Sequence, residues 1–428
     1  MNATNTNCIF TISDPENAKR KMLGWANRFS IFCFLDNHDY QTNYHSVECV
    51  LAIGAKKFLT GYTLKELQLF IDNSPAWLFG HLSYDMKNEI EGLSSMHSSR
   101  LGFPDIFFFE PEMIIHLSGN KMKIEVEKEI EAGKIFREIM DNEYVILDKK
   151  EKIRINQRVS KKEYIDTIEQ LKKHILRGDC YEINYCMEFF AENAEIDPLS
   201  VYQKLSSTSP NPFSALYKLD DKWLICASPE RFLKKEGKKI LSQPIKGTSS
   251  RFIKDEKKDK KSRDELFASE KDRSENVMVV DLVRNDLARV CKEGTVKVDE
   301  LFGVYSFPQV HQMISTVSGE LKDDISFIEI IKATFPMGSM TGAPKRKVME
   351  LIEKYERSKR GIFSGAVGYI TPDGDFDLNV VIRSIMYNAS GNYLSFMAGS
   401  GITFYSDAEK EYEECLLKVE AMKGAISN

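Results

Sequence analysis

Phe213-Ser-Ala-Leu-Tyr-Lys-Leu-Asp-Asp-Lys-Trp-Leu-Ile-Cys-Ala227 carries the reading of the fold. Two strand-like runs, Phe213 to Leu219 and Trp223 to Ala227, flank a turn at Asp220-Asp221. So short a connection pairs the runs antiparallel, because parallel neighbours need a long crossover. The pattern recurs at Val367 to Ile370 and Asp375 to Ile385 around Pro372-Asp-Gly374, and at Met113 to Leu117 and Met122 to Val126 around Ser-Gly-Asn. Helices alternate with these hairpins. Ser13-Asp14-Pro15 starts one that runs from Glu16 to Arg28. Ser160 caps another, Glu163 closes its capping box, and Tyr164, Ile168, Leu171 and Ile175 recur at helical spacing until Gly178. The expected class is α+β, antiparallel sheet flanked by helices.

The 428 residues suffice for two or three domains or one large one. A charged connection, Leu147 to Arg158, divides an N-terminal α+β portion, residues 1–147, from a second portion, residues 159–425. With 42% hydrophobic and 29% charged residues, a packed core is expected throughout. A net charge of -5 speaks against a nucleic-acid binder. The most apolar run, Ile106-Phe-Phe-Phe109, ends at Glu110, so no membrane span is expected. The first residues lack a signal-peptide pattern, and eight scattered cysteines without Cys-x-x-Cys spacing read as reduced thiols. A cytoplasmic protein is expected.

Several residues could carry chemistry. Lys271 to Asp281 reads as helix, with Asp272 and Glu275 on one face. Near the C-terminus Ser406 is expected to cap a helix, Glu409 to complete its box, and Glu411, Glu414 and Lys418 to share a side. Such acids serve solubility on exposed helices; converging, they would suit Mg²⁺, which takes hard oxygen ligands. Gly338-Ser-Met-Thr-Gly-Ala-Pro-Lys345 is either a tight turn or an anion site at a helix start. Ala398-Gly-Ser-Gly401 permits close backbone approach to a ligand. Arg383, in Val380 to Ile385, needs an anionic partner if buried, from the protein or from a substrate. His311 reads as structural or as a site residue. Lys246, in Gln243-Pro-Ile-Lys-Gly-Thr248, is a surface lysine or a desolvated nucleophile.

Taken together, these segments resemble the chorismate-utilising enzymes, the group that includes anthranilate, aminodeoxychorismate, isochorismate and salicylate synthases. The resemblance rests on Ser228-Pro-Glu-Arg231, Pro244-Ile-Lys-Gly-Thr248, Lys271-Asp-Arg-Ser-Glu275, Asp281-Leu-Val-Arg-Asn-Asp286, Gly342-Ala-Pro-Lys345, Ala366-Val-Gly-Tyr369, Val381-Ile-Arg-Ser384 and Ala398-Gly-Ser-Gly401. These run in family order over about Ser160 to Met422, and Gly80-His-Leu-Ser-Tyr-Asp85 resembles the family's N-terminal segment. The resemblance implies two halves with antiparallel sheets and a cleft between them. It also implies Glu275 and Glu414 as Mg²⁺ ligands supported by Asp272 and Glu411. Arg383, Lys418 and the amides around Gly399 and Gly401 would bind the substrate's carboxylates, with Ser339 and His311 in the same pocket. Glu230 would protonate the departing 4-hydroxyl.

Lys246 separates the branches. Pro-Ile-Ala-Gly-Thr resembles anthranilate synthase, whereas Pro-Ile-Lys-Gly-Thr implies a lysine that attacks carbon 2 before ammonia adds at carbon 4. The implied product is 4-amino-4-deoxychorismate, the precursor of p-aminobenzoate and folate. This chemistry demands a neutral amine, hence a desolvated or cation-flanked lysine. Glu182 stands where relatives of this branch carry Gln and isochorismate synthases carry Lys; a carboxylate there is expected to alter nearby pKa values. Ser249-Ser-Arg251 replaces the usual Arg-Pro-Arg, a change expected to bear on how Lys246 is positioned. The length leaves no room for a fused glutamine amidotransferase, so a separate amidotransferase subunit supplying ammonia is expected.

Overall fold

The computed structural model describes residues 6–40, 44, 47–126, 129–143, 153–308 and 310–427. The Phe213–Leu219 and Lys222–Ser228 hairpin forms as expected, with Asp220 at φ +54° in its turn. Its position explains the rest. Phe213–Leu219 pairs onward with Ile31–Asp36, and Lys222–Ser228 with Ser384–Asn388, so the hairpin lies in the middle of a large sheet.

Among the described residues that sheet has twelve strands and a second has ten, every pairing antiparallel. Both draw strands from before and after the charged connection. Ile31–Asp36 joins the first sheet, and Leu78–Leu82 pairs with Ala366–Ile370 in the second. Half of that connection, residues 147–152, lies outside the described residues.

The strands of the first sheet are apolar on both faces because both are covered. Phe32, Phe34, Leu51, Leu216 and Ile225 pack into one core with the helices Pro15–Ala26, Lys161–Leu176, Pro198–Thr208 and Ala408–Ile426. Their neighbours Cys33, Val50, Ala52, Ala215 and Leu224 face the other way, into a second core shared with the ten-stranded sheet and the helix Glu270–Val290. Alternation at period two sorts one strand between two cores.

The caps at Asp14 and Ser160 form as the sequence predicts. The C-terminal helix starts one residue later than expected: Asp407 accepts from the Lys410 amide, and the Ser406 hydroxyl instead accepts from Thr403. The run Asp375 to Ile385 is not one strand. Phe376–Asn379 belongs to the ten-stranded sheet and Ser384–Asn388 to the other, and the chain crosses between them through Val380 to Arg383. A second crossing lies beside it, where Pro229 and Glu230 link Lys222–Ser228 to Arg231–Glu236. The crossings are tied together: Val380 N donates to Glu230 O at 3.0 Å, Ala227 N to Arg383 O at 3.2 Å, and Ser228 Oγ to Val380 O at 2.6 Å.

Candidate active site

These crossings deliver Glu230 and Arg383 into a cavity of about 470 Å³ between the sheets, within the range of small-molecule sites. Arg383 sits at φ +49°, a conformation L-residues seldom adopt, held where the chain changes sheets. Burial lowers the Arg383 pKa to about 10, and Glu230 is its nearby countercharge. Burial raises the Glu230 carboxyl to about 7, although the Ser339 hydroxyl donates to its Oε1 at 2.6 Å and Lys246 lies nearby. A carboxyl that keeps its proton near neutrality can act as an acid.

Lys246 enters from the edge strand Ile245–Ser250 of the ten-stranded sheet. Its Nζ donates to Glu182 Oε1 at 2.5 Å. Glu182 begins the strand Glu182–Ala191 and is fixed by pairing with Gly342–Ala343. A Cβ on Gly342 would run into the Glu182 carbonyl, and φ there is +142°. The Gly338 to Lys345 segment is thus a tight turn that braces Glu182, and Lys345 itself pairs with Asp286. Gly401 has a related role. A side chain on it would meet the Lys246 ammonium and the Glu182 carboxylate, so glycine leaves room for this pair rather than only for a ligand.

The expectation of a neutral Lys246, desolvated or cation-flanked, is corrected here: desolvation is present, but carboxylates rather than cations flank the amine. Burial by itself would lower its pKa, but the Glu182, Glu275 and Glu414 carboxylates outweigh it and hold the lysine above its ordinary value. Its resting form is the ammonium. The Glu182 carboxylate raises the pKa of both Lys246 and Glu275.

Glu275 and Asp272 come from the helix Glu270–Val290, Glu414 and Lys418 from Ala408–Ile426, and all four line the cavity. Lys418 Nζ donates to Gly399 O at 2.9 Å and pairs with Glu414 at 2.7 Å. Glu411 is buried behind the cavity, 3.3 Å from Lys271 Nζ, which also stands 3.8 Å from Glu275. Among the described residues no three acidic, His or Cys side chains already converge at ligand spacing. Mg²⁺ requires only one or two carboxylates besides water and substrate. Two observations fit such an ion: Glu275 Oε1 is buried with no hydrogen-bond partner, and Glu275 is raised to about 7 by burial with Glu182 and Glu411 nearby.

His311 does not line the cavity. On the strand Val310–Glu320 it is 1% exposed and turned away, its Nδ1 2.9 Å from Ser306 Oγ and its Nε2 3.2 Å from Asp259 on the charged helix Glu256–Ala268. Strand alternation sends its neighbour Gln312 into the cavity instead. Gln312 and Asn184, whose Nδ2 donates to Ser339 O at 2.8 Å, are pocket residues the sequence reading passed over. The period-two pattern was the available signal for Gln312.

Residues 24–424 match the family model described as chorismate binding enzyme. The chain is 38% identical over 266 residues to aminodeoxychorismate synthase component 1 of Salmonella typhimurium, covering 62% of this chain and 58% of the relative. It is 33% identical over 349 residues to anthranilate synthase component 1 of Saccharolobus solfataricus, covering 82% and 80%. The matched stretch spans between 29% and 58% of the aminodeoxychorismate synthases it resembles. The solved anthranilate synthase component I of Streptococcus pneumoniae has the same fold, with a TM-score of 0.75 at 23% identity over 97% of this chain and 92% of that one. A match over nearly the whole chain, on a cleft flanked by paired crossings and acidic helices, settles its family: the chain belongs to the chorismate binding enzymes.

Proposed function

We propose that this protein converts chorismate and ammonia to 4-amino-4-deoxychorismate, on the route to p-aminobenzoate and folate. The observation that carries the reading is Lys246, a lysine on the cleft wall whose side chain is 11% exposed, beside an acid poised near neutrality. Arg383 and Lys418 are the cations that would bind the substrate's carboxylates. Mg²⁺ would be held by Glu275 and Glu414 and would neutralise carboxylate charge when bound. Lys246 first passes a proton from its ammonium to Glu182; the neutral nitrogen then bonds to carbon 2 while Glu230 donates its proton to the 4-hydroxyl, which leaves as water. Ammonia then bonds to carbon 4 as the carbon 2–nitrogen bond breaks; Lys246 recovers its proton from Glu182, and the new ammonium at carbon 4 returns one to Glu230. Covalent catalysis splits one displacement into two easier ones.

Relatives named "component 1" imply a partner component, which we take to be an amidotransferase subunit supplying ammonia. All eight cysteines are free, which supports a reducing, cytoplasmic setting. Among the described residues no helix is long and apolar enough to cross a membrane.

The relative from Saccharolobus solfataricus favours a second reading, anthranilate synthesis. One assay separates the two: protein, chorismate, Mg²⁺ and ammonium chloride, with products identified by mass. Aminodeoxychorismate is expected, and Lys246→Ala should abolish it. Anthranilate as the main product, or an Ala variant with unchanged rate and product, would overturn the reading.

A further inference from the structure

Gln312 is fully buried, lines the cleft, and makes no hydrogen bond through either Nε2 or Oε1. Buried side-chain amides are nearly always paired, because an unmet donor and an unmet acceptor each cost free energy. This one is also held in place. Its strand pairs on one side with Ile245–Ser250, where Gln312 stands opposite Thr248, two residues from Lys246. On the other side it pairs with Lys297–Ser306, where Gln312 stands opposite Tyr305. A rigid, wholly unpaired amide on a cavity wall is a binding group awaiting a ligand.

Its chemistry narrows what it binds. Arg383 and Lys418 supply positive charge for carboxylates, and Glu230 supplies an acid. A neutral amide adds no charge and moves no proton; it donates and accepts at once. Its complement is a small neutral group that also does both. In the reaction proposed above, on which this inference rests, that group is the ring hydroxyl that leaves or the ammonia that replaces it. We propose that the Gln312 amide contacts and orients this neutral reacting group, and so helps determine specificity beside Lys246.

The test is Gln312→Met, which keeps the volume and removes both polar atoms. Without ligand the variant should melt at or above the wild-type temperature, since two unmet polar atoms disappear. The stabilisation by chorismate with Mg²⁺ should shrink, and KM for chorismate should rise roughly ten-fold if the hydroxyl is the contact. A comparable rise confined to KM for ammonium assigns the contact to ammonia. Gln312→Glu, of the same shape but without the amide donor, reads the same quantities should the Met variant not fold. Unchanged chorismate stabilisation and unchanged KM for both substrates would overturn the proposal. So would a lowered melting temperature with both KM values intact, the mark of an amide satisfied by structural water. Wild-type protein that gains no stability from chorismate would instead sink the reading of the pocket itself, and this inference with it.

Discussion

Glu275 binds a proton more tightly folded than unfolded, and so does Glu230, both near 7 against an ordinary 4.5. A carboxyl raised in this way stabilises the fold fully below about 4.5, and that contribution is lost as pH rises through 7. The size is on the order of 3 kcal/mol for each group. Lys246 is raised from 10.5, so its contribution is constant over this range. Without divalent cation, the melting temperature should therefore fall between pH 5 and pH 8, and Glu275→Gln should remove about half of the fall. Added Mg²⁺ should raise it more at pH 8 than at pH 6, and not in the Gln variant. Thermal melts across pH check this; a flat wild-type profile, or a Mg²⁺ shift that survives in Glu275→Gln, would count against it. At this scale the sequence was informative about kinds of residue and less so about direction. Ten of the thirteen expected site residues line the cavity; Glu182 and Glu411 stand behind it, paired with Lys246 and Lys271, and His311 points away. A strand fixes that His311 and Gln312 face opposite sides, but only the packed sheet decides which side is the cleft.

Elements explain why two similar glycines should respond differently. A methyl on Gly401 meets the ends of two side chains, Lys246 and Glu182, which can move. A methyl on Gly342 meets the Glu182 backbone at a φ that alanine resists. Gly401→Ala should leave the melting temperature nearly intact while cutting kcat by roughly ten-fold or more, because it displaces Lys246, the proposed nucleophile, by a fraction of an ångström. Gly342→Ala should lower stability by at least about 2 kcal/mol. Melting curves and steady-state kinetics on both variants check the contrast; an active Gly401→Ala enzyme would mean that the Lys246–Glu182 pair is not the working geometry. Hairpins and caps were legible from local pattern, since turn chemistry and capping are local. The split of Asp375 to Ile385 was not. Val380, Val381 and Ile382 carry the apolar character of the flanking strands straight through the crossing, and nothing local marks where the chain changes sheets.

The sheets make the whole chain one unit. Ile31–Asp36 covers the Phe213–Leu219 edge through six paired residues, and Leu78–Leu82 covers Ala366–Ile370 through five. A contact outside the sheets repeats the theme, since Gly361 N donates to Asp85 Oδ2 at 3.0 Å. The charged connection that divides the sequence therefore does not divide the sheets, and each sheet would lose interior pairing if the chain were cut there. A fragment beginning at residue 153 would expose two long apolar strand edges, which favour association with other chains over folding. We expect calorimetry of the intact protein to give one cooperative transition. We expect the fragment, though it holds every proposed catalytic residue, to aggregate and to gain no stability from chorismate. A fragment that folds alone and turns over chorismate would mean that the N-terminal strands are accessory to a self-sufficient catalytic half.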